Sequence, residues 1–367
     1  MYDANSLRND LITALWRGGT ISRELRQRSE GTTTKDNRAG YLLESVLSYS
    51  WGDPLFGNGS MRPRLSVAYH DVLGLRYADD LYRTTFFGNG DHENDWLELG
   101  PSAFEKVRYQ SFGFGFEDTK SRSYLMVQLV SGQDLTAARI DRADLFTATD
   151  GQYLRLELEG NYARSADDGI ADWRSRGMGA AMSFRVNAPL PIGKRALAFS
   201  LGVDDLGAIS WNDQSLRVPR DTTILYEGIR VDDVLDIDGV LIDRDGLQDT
   251  LGLGYEAGAF LRPLPTKLYA SLAYDCAFAM RYKAEIDVRN LPGYSPHAVF
   301  SARHAYRNNA FCAEFSFGGF GGWRAGLGAE RVFGKHFLLE LRTPNVIGMV
   351  SANARGRALM LGAGFSW

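Results

Sequence analysis

The residue types that could do chemistry in this chain are five histidines and a dense run of aspartates. Nucleophilic catalysis needs a Ser or Cys beside a His that a carboxylate orients, and a metal site needs several ligands at short spacing. The histidines are scattered and fit neither arrangement: His70, His92, His297, His304 and His336. The best candidate for a catalytic site is the group of Asp79, Asp80 and His92. The only argument for it is that these residues are close in the sequence. We therefore expect a protein that is not an enzyme and that holds no metal and no cofactor.

The aspartates are concentrated between Val231 and Leu251, where seven of them surround a few aliphatic residues. Carboxylates are the hard ligands that calcium prefers. However, Asp243, Asp245 and Gly246 do not follow the spacing of an EF-hand loop. A long solvated loop is the simplest interpretation, and a loop that docks a partner is the alternative.

The composition resembles that of an ordinary globular chain, with 367 residues, 44% hydrophobic, 23% charged, and a formal net charge of −4. The chain has no net positive charge to attract phosphates, which argues against nucleic acid as a partner. The longest uncharged run, Asn290 to Ala302, contains two prolines and is shorter than the about 18 residues of a helical membrane span. If the chain crosses a membrane, it must do so as a closed β-barrel, because only helices and barrels satisfy their backbone groups in lipid.

From Arg38 onward, the sequence repeats segments of about ten residues that alternate in polarity and end in Gly, Asn, Asp or Pro. In Lys283 to Arg289, three aliphatic residues alternate with four charged ones, and Tyr153 to Glu159 has a similar pattern. Each strand thus has one apolar face and one charged or small face. A soluble barrel would carry its apolar face inside, whereas a membrane barrel carries it outside.

These segments predict an all-β fold, a closed antiparallel transmembrane β-barrel of about 14 strands, with a range of about 12 to 16. Residues 1–38 form a short N-terminal periplasmic segment that is partly helical. Residues 39–367 form the barrel, which the acidic loop 231–251 interrupts. An outer-membrane protein needs a secretory signal, and residues 1–38 hold none, so we expect a mature or truncated chain without its signal.

The chain ends in ALMLGAGFSW, from Ala358 to Trp367, which alternates in the manner of a strand up to a terminal aromatic residue. Such an ending is unusual because termini are generally frayed and polar. It resembles the closing strand of outer-membrane barrels, whose terminal aromatic residue is read by the bacterial barrel-assembly machinery. We expect Phe365 and Trp367 to act as the assembly signal, with that machinery as a partner during biogenesis.

The charged faces of several strands are predicted to point into the lumen of the barrel. They carry eight candidate lumen-lining residues: Arg155, Glu157, Glu159, Lys283, Glu285, Asp287, Glu340 and Arg342. Ion pairs between neighbouring strands are the simplest role for these charges, and a permeation path is the alternative. Their mixed signs argue against a strongly ion-selective pore.

Five segments resemble a family of Bacteroidota outer-membrane proteins that has no assigned function. They are FFGNGDHENDWLELG (Phe86 to Gly100), VRYQSFGFGF (Val107 to Phe116), RADLFTATDGQYL (Arg142 to Leu154), LYEGIRVDDVLDID (Leu225 to Asp238) and LPTKLYASLAY (Leu264 to Tyr274). The resemblance runs from about residue 15 to the end of the chain. It implies the architecture of the long-chain fatty-acid porins, a barrel of about 14 strands, and no catalytic residue. Members usually carry a further N-terminal segment, which plugs the lumen in fatty-acid porins, so we expect residues 1–38 to fill only part of the periplasmic mouth.

Two functions are compatible with such a barrel. The first is a porin-like protein or transporter for a small solute, including a hydrophobic one, and it rests on analogy of fold. The alternative is a non-transporting barrel subunit that scaffolds a multi-protein outer-membrane assembly for secretion, gliding or nutrient uptake. Both place the protein in the bacterial outer membrane, in contact with lipid and lipopolysaccharide, and the alternative adds other envelope proteins as partners.

Overall fold

The computed structural model describes residues 1–18, 20–51, 59–166, 174–192, 195–226, 256–276 and 278–365. Within these ranges, nineteen strands form one sheet, and paired strands run antiparallel. The predicted all-β antiparallel architecture is confirmed. The predicted number of strands, about 14 with a range of about 12 to 16, was too low because short or projecting strands lie beside the main series.

Thirteen strands follow one another edge to edge and form what we call the wall. In order, the wall strands are β2 (Asn37–Ser50), β3 (Met61–Tyr77), β5 (Ser102–Asp118), β6 (Tyr124–Thr147), β8 (Gly177–Ile192), β9 (Arg195–Trp211), β13 (Lys267–Cys276), β14 (Met280–Arg289), β15 (Ser295–Tyr306), β16 (Asn309–Gly319), β17 (Arg324–Phe333), β18 (Phe337–Thr343) and β19 (Met360–Phe365). Each is hydrogen-bonded to the next. All except β18 and β19 have ten residues or more, and a tilted strand needs about 9–11 to cross a bilayer.

The remaining strands lie beside the wall. They are β1 (Tyr2–Ala4), β4 (Trp96–Glu98), β7 (Leu154–Arg164), β10 (Leu216–Tyr226), β11 (Glu256–Ala257) and β12 (Phe260–Pro263). β6 has 24 residues, and its first part pairs with β8 while its second part pairs with β7. β7 in turn pairs with β10. β7 and β10 therefore extend the sheet from the second part of β6 rather than continuing the wall.

Four α-helices occur in the described residues, and the topology places them at one end of the wall. They are α1 (Asn9–Arg17) and α2 (Arg23–Glu30) before β2, α3 (Asp79–Phe87) between β3 and β5, and α4 (Val346–Val350) between β18 and β19. We call this end the helix end. At the opposite end, the turn end, most connections are short, as between β15 and β16.

The N-terminal segment packs against the wall at the helix end. Leu7 and Leu11 are buried in an apolar cluster with Tyr77 of β3 and Tyr82 of α3. The hydroxyl of Tyr82 donates to the carbonyl oxygen of Arg26 at 2.9 Å, and burial raises the pKa of Tyr82 to about 12. This hydrogen bond connects α3 to α2.

The outer face of the wall is apolar and exposed. Ile286 of β14 is 51% exposed, whereas its neighbour Asp287 is 4% exposed. The same alternation exposes large apolar side chains on most wall strands, including Val67, Phe114, Val127, Leu201, Leu272, Phe300, Phe311, Leu327, Leu339 and Leu361. Because alternate residues of a strand point to opposite faces, the wall has a second, inner face.

Strand pairing does not close the sheet. In the described part of the chain, no ladder joins β2, the first wall strand, to β19, the last. β1 links these two edges at the helix end, because Tyr2 pairs with Tyr41 of β2 and exchanges two backbone hydrogen bonds with Arg357, each of 2.7 Å. Among the described residues, this bridge connects the first strand to the segment that precedes the last.

Two predicted features, the acidic loop 231–251 and the terminal Trp367, lie outside the described residues. None of the helices in the described ranges is both long enough and apolar enough to cross a membrane.

Candidate functional site

The inner faces of the wall strands line a common interior space, which we call the lumen. Glu44 on β2 and Arg289 on β14 form a two-point ion pair, with oxygen-to-nitrogen distances of 2.6 and 3.1 Å. β2 is the first wall strand and β14 is the eighth. Since neighbouring strands are about 4.7–4.9 Å apart, a flat sheet would hold these residues far from each other. The wall must therefore curve strongly around the lumen.

One row of side chains crosses the inner face of six neighbouring wall strands. Each residue of this row is the direct ladder partner of the next one. The row consists of Glu117, Tyr124, Arg185, Gly202, Tyr269 and Asp287. Opposed residues of an antiparallel ladder share a face. A Cβ atom on Gly202 would lie 2.3 Å from the ring of Tyr269, so only glycine lets this ring fold across β9 toward Arg185.

Arginine and tyrosine side chains stack along this row. The guanidinium of Arg185 lies over the rings of Tyr124 and Tyr269, at 5.5 and 5.3 Å from their centroids. Its Nε donates to the hydroxyl of Tyr269 at 2.7 Å. Arg64 lies over Tyr124 at 4.8 Å, and Lys267 lies over Tyr269 at 5.2 Å. These cation–π contacts hold three positive charges along the inner face of the wall.

A second polar group connects strands that are not neighbours. The hydroxyl of Tyr109 and the side-chain amide of Gln128 both donate to the carboxylate of Asp205, at 3.0 and 3.1 Å. The His70 ring stacks on Tyr109, with centroids 4.6 Å apart. His70 Nε2 also lies 3.7 Å from Asp205, and its Nδ1 lies 3.5 Å from Glu44. This group ties β3, β5, β6 and β9 together through the lumen.

A buried apolar cluster lies in the lumen toward the helix end. Its members come from the inner faces of five wall strands and from three connections: Val72, Val107, Tyr109, Val130, Leu135, Ala137, Ala181, Ile209, Trp211, Leu264, Leu291 and Phe320. Trp211 and Phe320 are each 1% exposed. We call this cluster the plug. The sequence predicted a polar inner face, and at this end the inner face is apolar instead because opposing strands and inward connections pack on each other.

Two glycines give the plug its close packing across the lumen. A Cβ on Gly40 of β2 would lie 2.4 Å from the ring of Phe320, which follows β16. A Cβ on Gly74 of β3 would lie 2.5 Å from the carbonyl oxygen of Pro292, which follows β14. Both connections therefore fold inward and touch the opposite side of the wall.

The lumen also contains three cavities of about 740, 580 and 300 Å³. Lys267 lines all three of them, and Arg185 lines the first and the third. Their linings are rich in charged and hydroxyl side chains. This composition suits a polar occupant better than a hydrophobic one.

The eight residues predicted to line the lumen fall into two groups. Four of them line the 580 Å³ cavity: Lys283, Glu285, Asp287 and Arg342. Glu340 lies 2.8 Å from Arg342. The other three lie on β7, beside the wall: Arg155, Glu157 and Glu159.

On β7, the charged residues form an exposed ion-pair group. Arg155 lies 2.7 Å from Glu157, and Arg142 of β6 approaches the same carboxylate at 3.1 Å. The ion-paired role that the sequence favoured for such charges fits these contacts. The alternation of β7 matches that of the wall strands, and for this reason the sequence alone could not separate it from them.

The one sequence-proximal catalytic candidate does not assemble. Asp79 and Asp80 lie in the first turn of α3, where Arg83 approaches them at 3.1 and 3.5 Å. His92 lies beyond the end of α3. In the ranges that the structure describes, no group of three His, Cys, Asp or Glu residues is arranged to hold a metal ion.

Phe365, one of the two residues predicted as an assembly signal, is the last residue of β19. It is 63% exposed and lies opposite Phe337 of β18. The other, Trp367, lies outside the described residues.

The sequence did not single out the residues that organise the lumen, namely Tyr109, Arg185, Asp205 and Tyr269. Tyr109, Arg185 and Tyr269 are ordinary members of alternating strands, whereas Asp205 lies at a register shift with a φ of 57°. The partners of all four are distant in the sequence. A usable signal exists for Tyr109, since in VRYQSFGFGF it falls on the face opposite Phe112, Phe114 and Phe116. An aromatic residue on the inner face indicates packing inside the lumen.

Comparison with family models gives one match. The model described as a family of unknown function (DUF5723) matches residues 65–330, which is more than half of the chain. No curated protein and no solved structure matches the chain.

Proposed function

The chain belongs to the DUF5723 family of unknown function, and we propose that it is an outer-membrane β-barrel whose lumen is closed by a packed plug. Such a barrel serves as a non-transporting subunit that scaffolds a multi-protein assembly. The observation that carries this proposal is the plug itself. It joins opposite sides of the wall through contacts such as Phe320 on Gly40.

The exposed apolar face of the wall supports the membrane location. Phe300, Val127 and Leu361 are 58%, 61% and 75% exposed on the outer face. Burying apolar surface is worth about 25 cal/mol per Å², so a band of such residues around the wall favours lipid as its surroundings. Soluble monomers rarely expose such a continuous apolar surface.

Aromatic side chains near the two ends of one wall strand support the same location. Close to the start of β17, Trp323 packs on Phe315 and Phe317, with ring centroids 4.8 and 4.4 Å apart. At its other end, Phe333 lies 6.0 Å from Phe337. Membrane barrels carry aromatic girdles at both interfaces of their apolar band.

The odd number of wall strands, thirteen, supports a closed barrel of fourteen strands. Thirteen successive antiparallel strands leave the edge strands β2 and β19 parallel to each other. One strand antiparallel to both is needed to close such a wall, and bacterial barrels have even strand numbers. β1 has this direction, pairs with β2 through Tyr41 and is hydrogen-bonded to Arg357, which lies just before β19. We therefore assign β1 to the fourteenth strand position.

The scaffold role is tested in native membranes. The tagged chain is extracted with a mild detergent and sized by native electrophoresis and size-exclusion chromatography. We expect it to migrate with further envelope proteins as a stable complex. A barrel that always migrates alone, with no protein retained at stoichiometric amounts, would contradict the scaffold role.

A gated transporter is the second candidate, and the three cavities of the lumen favour it. Solute could enter the lumen from the turn end, but passage would require the plug to move. The charged linings favour a polar solute over the hydrophobic solutes of fatty-acid porins. Uptake of a polar solute by vesicles that contain the pure barrel would favour this candidate.

A further inference from the structure

We infer that the 740 Å³ cavity is a binding site for a small oxyanion, a carboxylate or a phosphate, held by Arg185 and Lys267. This inference goes beyond the proposed function, since a scaffolding barrel needs no small ligand. It rests on the shape of the cavity, on the balance of its charges, and on the ion pairs and ring contacts that these two cations form or lack.

Small side chains on β9 and β13, two central strands in the order of the wall, make room for the cavity. Ala198 and Ser200 of β9 lie on its lining, as do Ser271 and Ala273 of β13. Ser200 and Ser271 are direct partners in the β9–β13 ladder, and so are Ala198 and Ala273. These four short side chains leave a recess of about 740 Å³, within the roughly 300–1,000 Å³ of typical ligand sites.

Positive charge predominates in the lining. Five basic residues contribute: Arg122, Arg185, Lys267, Arg281 and Lys283. Three carboxylates oppose them: Asp204, Asp275 and Glu285. The whole chain has a net charge of −4, so the excess of positive charge is a local property of this cavity. A cleft whose lining carries an excess of positive charge concentrates anions.

Three of the five basic residues are already neutralised by carboxylates. Arg281 lies 3.7 Å from Asp275, and Lys283 forms an ion pair with Glu285. Arg122 lies 3.0 Å from Glu117.

Arg185 and Lys267 differ from these three. In the part of the chain that the structure describes, neither forms an ion pair within 4.0 Å, and Asp204 on the same lining acts on both only at longer range. Arg185 uses Nε for its bond to Tyr269, and its two Nη groups have no hydrogen-bond acceptor among the described residues. A partly enclosed guanidinium gains from an anionic partner, because charge-assisted hydrogen bonds are stronger than neutral ones.

The stacking contacts prepare the two cations for such a partner. Both lie over the same Tyr269 ring, at 5.3 and 5.2 Å from its centroid. Arg185 is also held over Tyr124, at 5.5 Å. The ring contacts restrict the guanidinium plane, so less side-chain entropy is lost when an oxyanion binds. The Arg fork binds two oxygens of a carboxylate or phosphate, and the Lys ammonium adds a point charge.

The test is isothermal titration of the folded barrel in detergent with two probes, citrate and inorganic phosphate. We expect saturable binding of at least one probe. Arg185→Gln and Lys267→Gln should each weaken it at least tenfold, and Arg185→Lys should give a smaller loss because it keeps the charge and loses the fork. Arg331→Gln is the matched control, since Arg331 is exposed on the outer face and its loss changes the net charge equally.

Each outcome has a defined meaning. The inference is overturned if the wild-type barrel binds neither probe, if both Gln variants bind normally, or if Arg331→Gln weakens binding as much as they do. Heat-modifiable electrophoretic mobility identifies folded barrels, and because the two Gln variants act independently, one folded variant is enough for the comparison. Conductance is measured separately, so a barrel that conducts and binds contradicts only the proposed function.

Discussion

Glu44 on the first wall strand and Arg289 on the eighth hold each other at two points, at 2.6 and 3.1 Å, across the lumen. His70 approaches the same Glu44 carboxylate at 3.5 Å and continues the connection to Asp205 on β9. Such links connect opposite sides of the wall. Neither residue of the ion pair could be recognised from its own strand, because the pair joins positions 245 residues apart.

The Glu44–Arg289 pair should stabilise the fold. Glu44→Gln and Arg289→Gln are each expected to lower the free energy of unfolding by about 1.5–3 kcal/mol, as for hydrogen bonds to charged groups. The double variant should lose less than the sum of the two, because the partners act as a unit. Urea unfolding of the barrel in lipid vesicles measures these values. Arg155→Gln, which breaks the exposed pair on β7, should cost at most about 1 kcal/mol.

The plug should be a main source of stability. Phe320→Ala is expected to cost about 3–5 kcal/mol, because the buried ring leaves a cavity against Gly40. Phe317→Ala removes the same side chain three residues earlier, where it is 45% exposed on the outer face, and should cost clearly less. Unfolding midpoints in lipid vesicles compare the two. Equal losses would mean that Phe320 is not part of a packed core.

The two faces of β15 should differ in their tolerance of charge. Phe300→Arg places a cation on the exposed apolar face and should cost about 2–4 kcal/mol if it lies near the bilayer midplane. Val299→Arg places the same cation on the inner face, opposite Glu285, and should cost much less. Folding yields in vesicles of defined lipid report the difference. Equal effects would contradict the assignment of the outer face to lipid.

The C-terminal aromatic residues should matter for assembly more than for stability. Deletion of Trp367 and Phe365→Ala are both expected to reduce the amount of folded barrel in cells that have a barrel-assembly machinery. Leu361→Ala removes a similarly exposed apolar side chain from the same strand and should have a smaller effect. Heat-modifiable mobility of membrane fractions gives the folded amount. Normal levels of both aromatic variants would exclude an assembly signal.

The sequence predicted the strands well because alternation is a local property. Lys283 to Arg289 belongs to β14, in which Asp287 is 4% exposed and Ile286 is 51% exposed. The helical turns expected before the first strand correspond to α1 and α2. Each of these features depends on neighbours within a few residues.

The arrangement of the strands could not be predicted in the same way. The stretch from Tyr153 to Glu159 alternates like a wall strand, yet β7 pairs with the second part of β6 and with β10. The plug was also missed, since it forms from inner residues such as Val72 and Trp211 and from connections that fold inward. These features depend on which distant segments meet, and periodicity does not carry that information.

The central claim is that a packed plug closes the lumen of a membrane barrel, and conductance tests it most directly. The purified, folded chain is inserted into planar lipid bilayers, and liposome swelling is measured with small sugars. We expect neither steady conductance nor swelling for the wild type. A double variant, Leu291→Ala with Phe320→Ala, should show frequent openings if it folds. Steady, solute-permeable conductance of the wild-type chain would contradict the account and identify the protein as a pore.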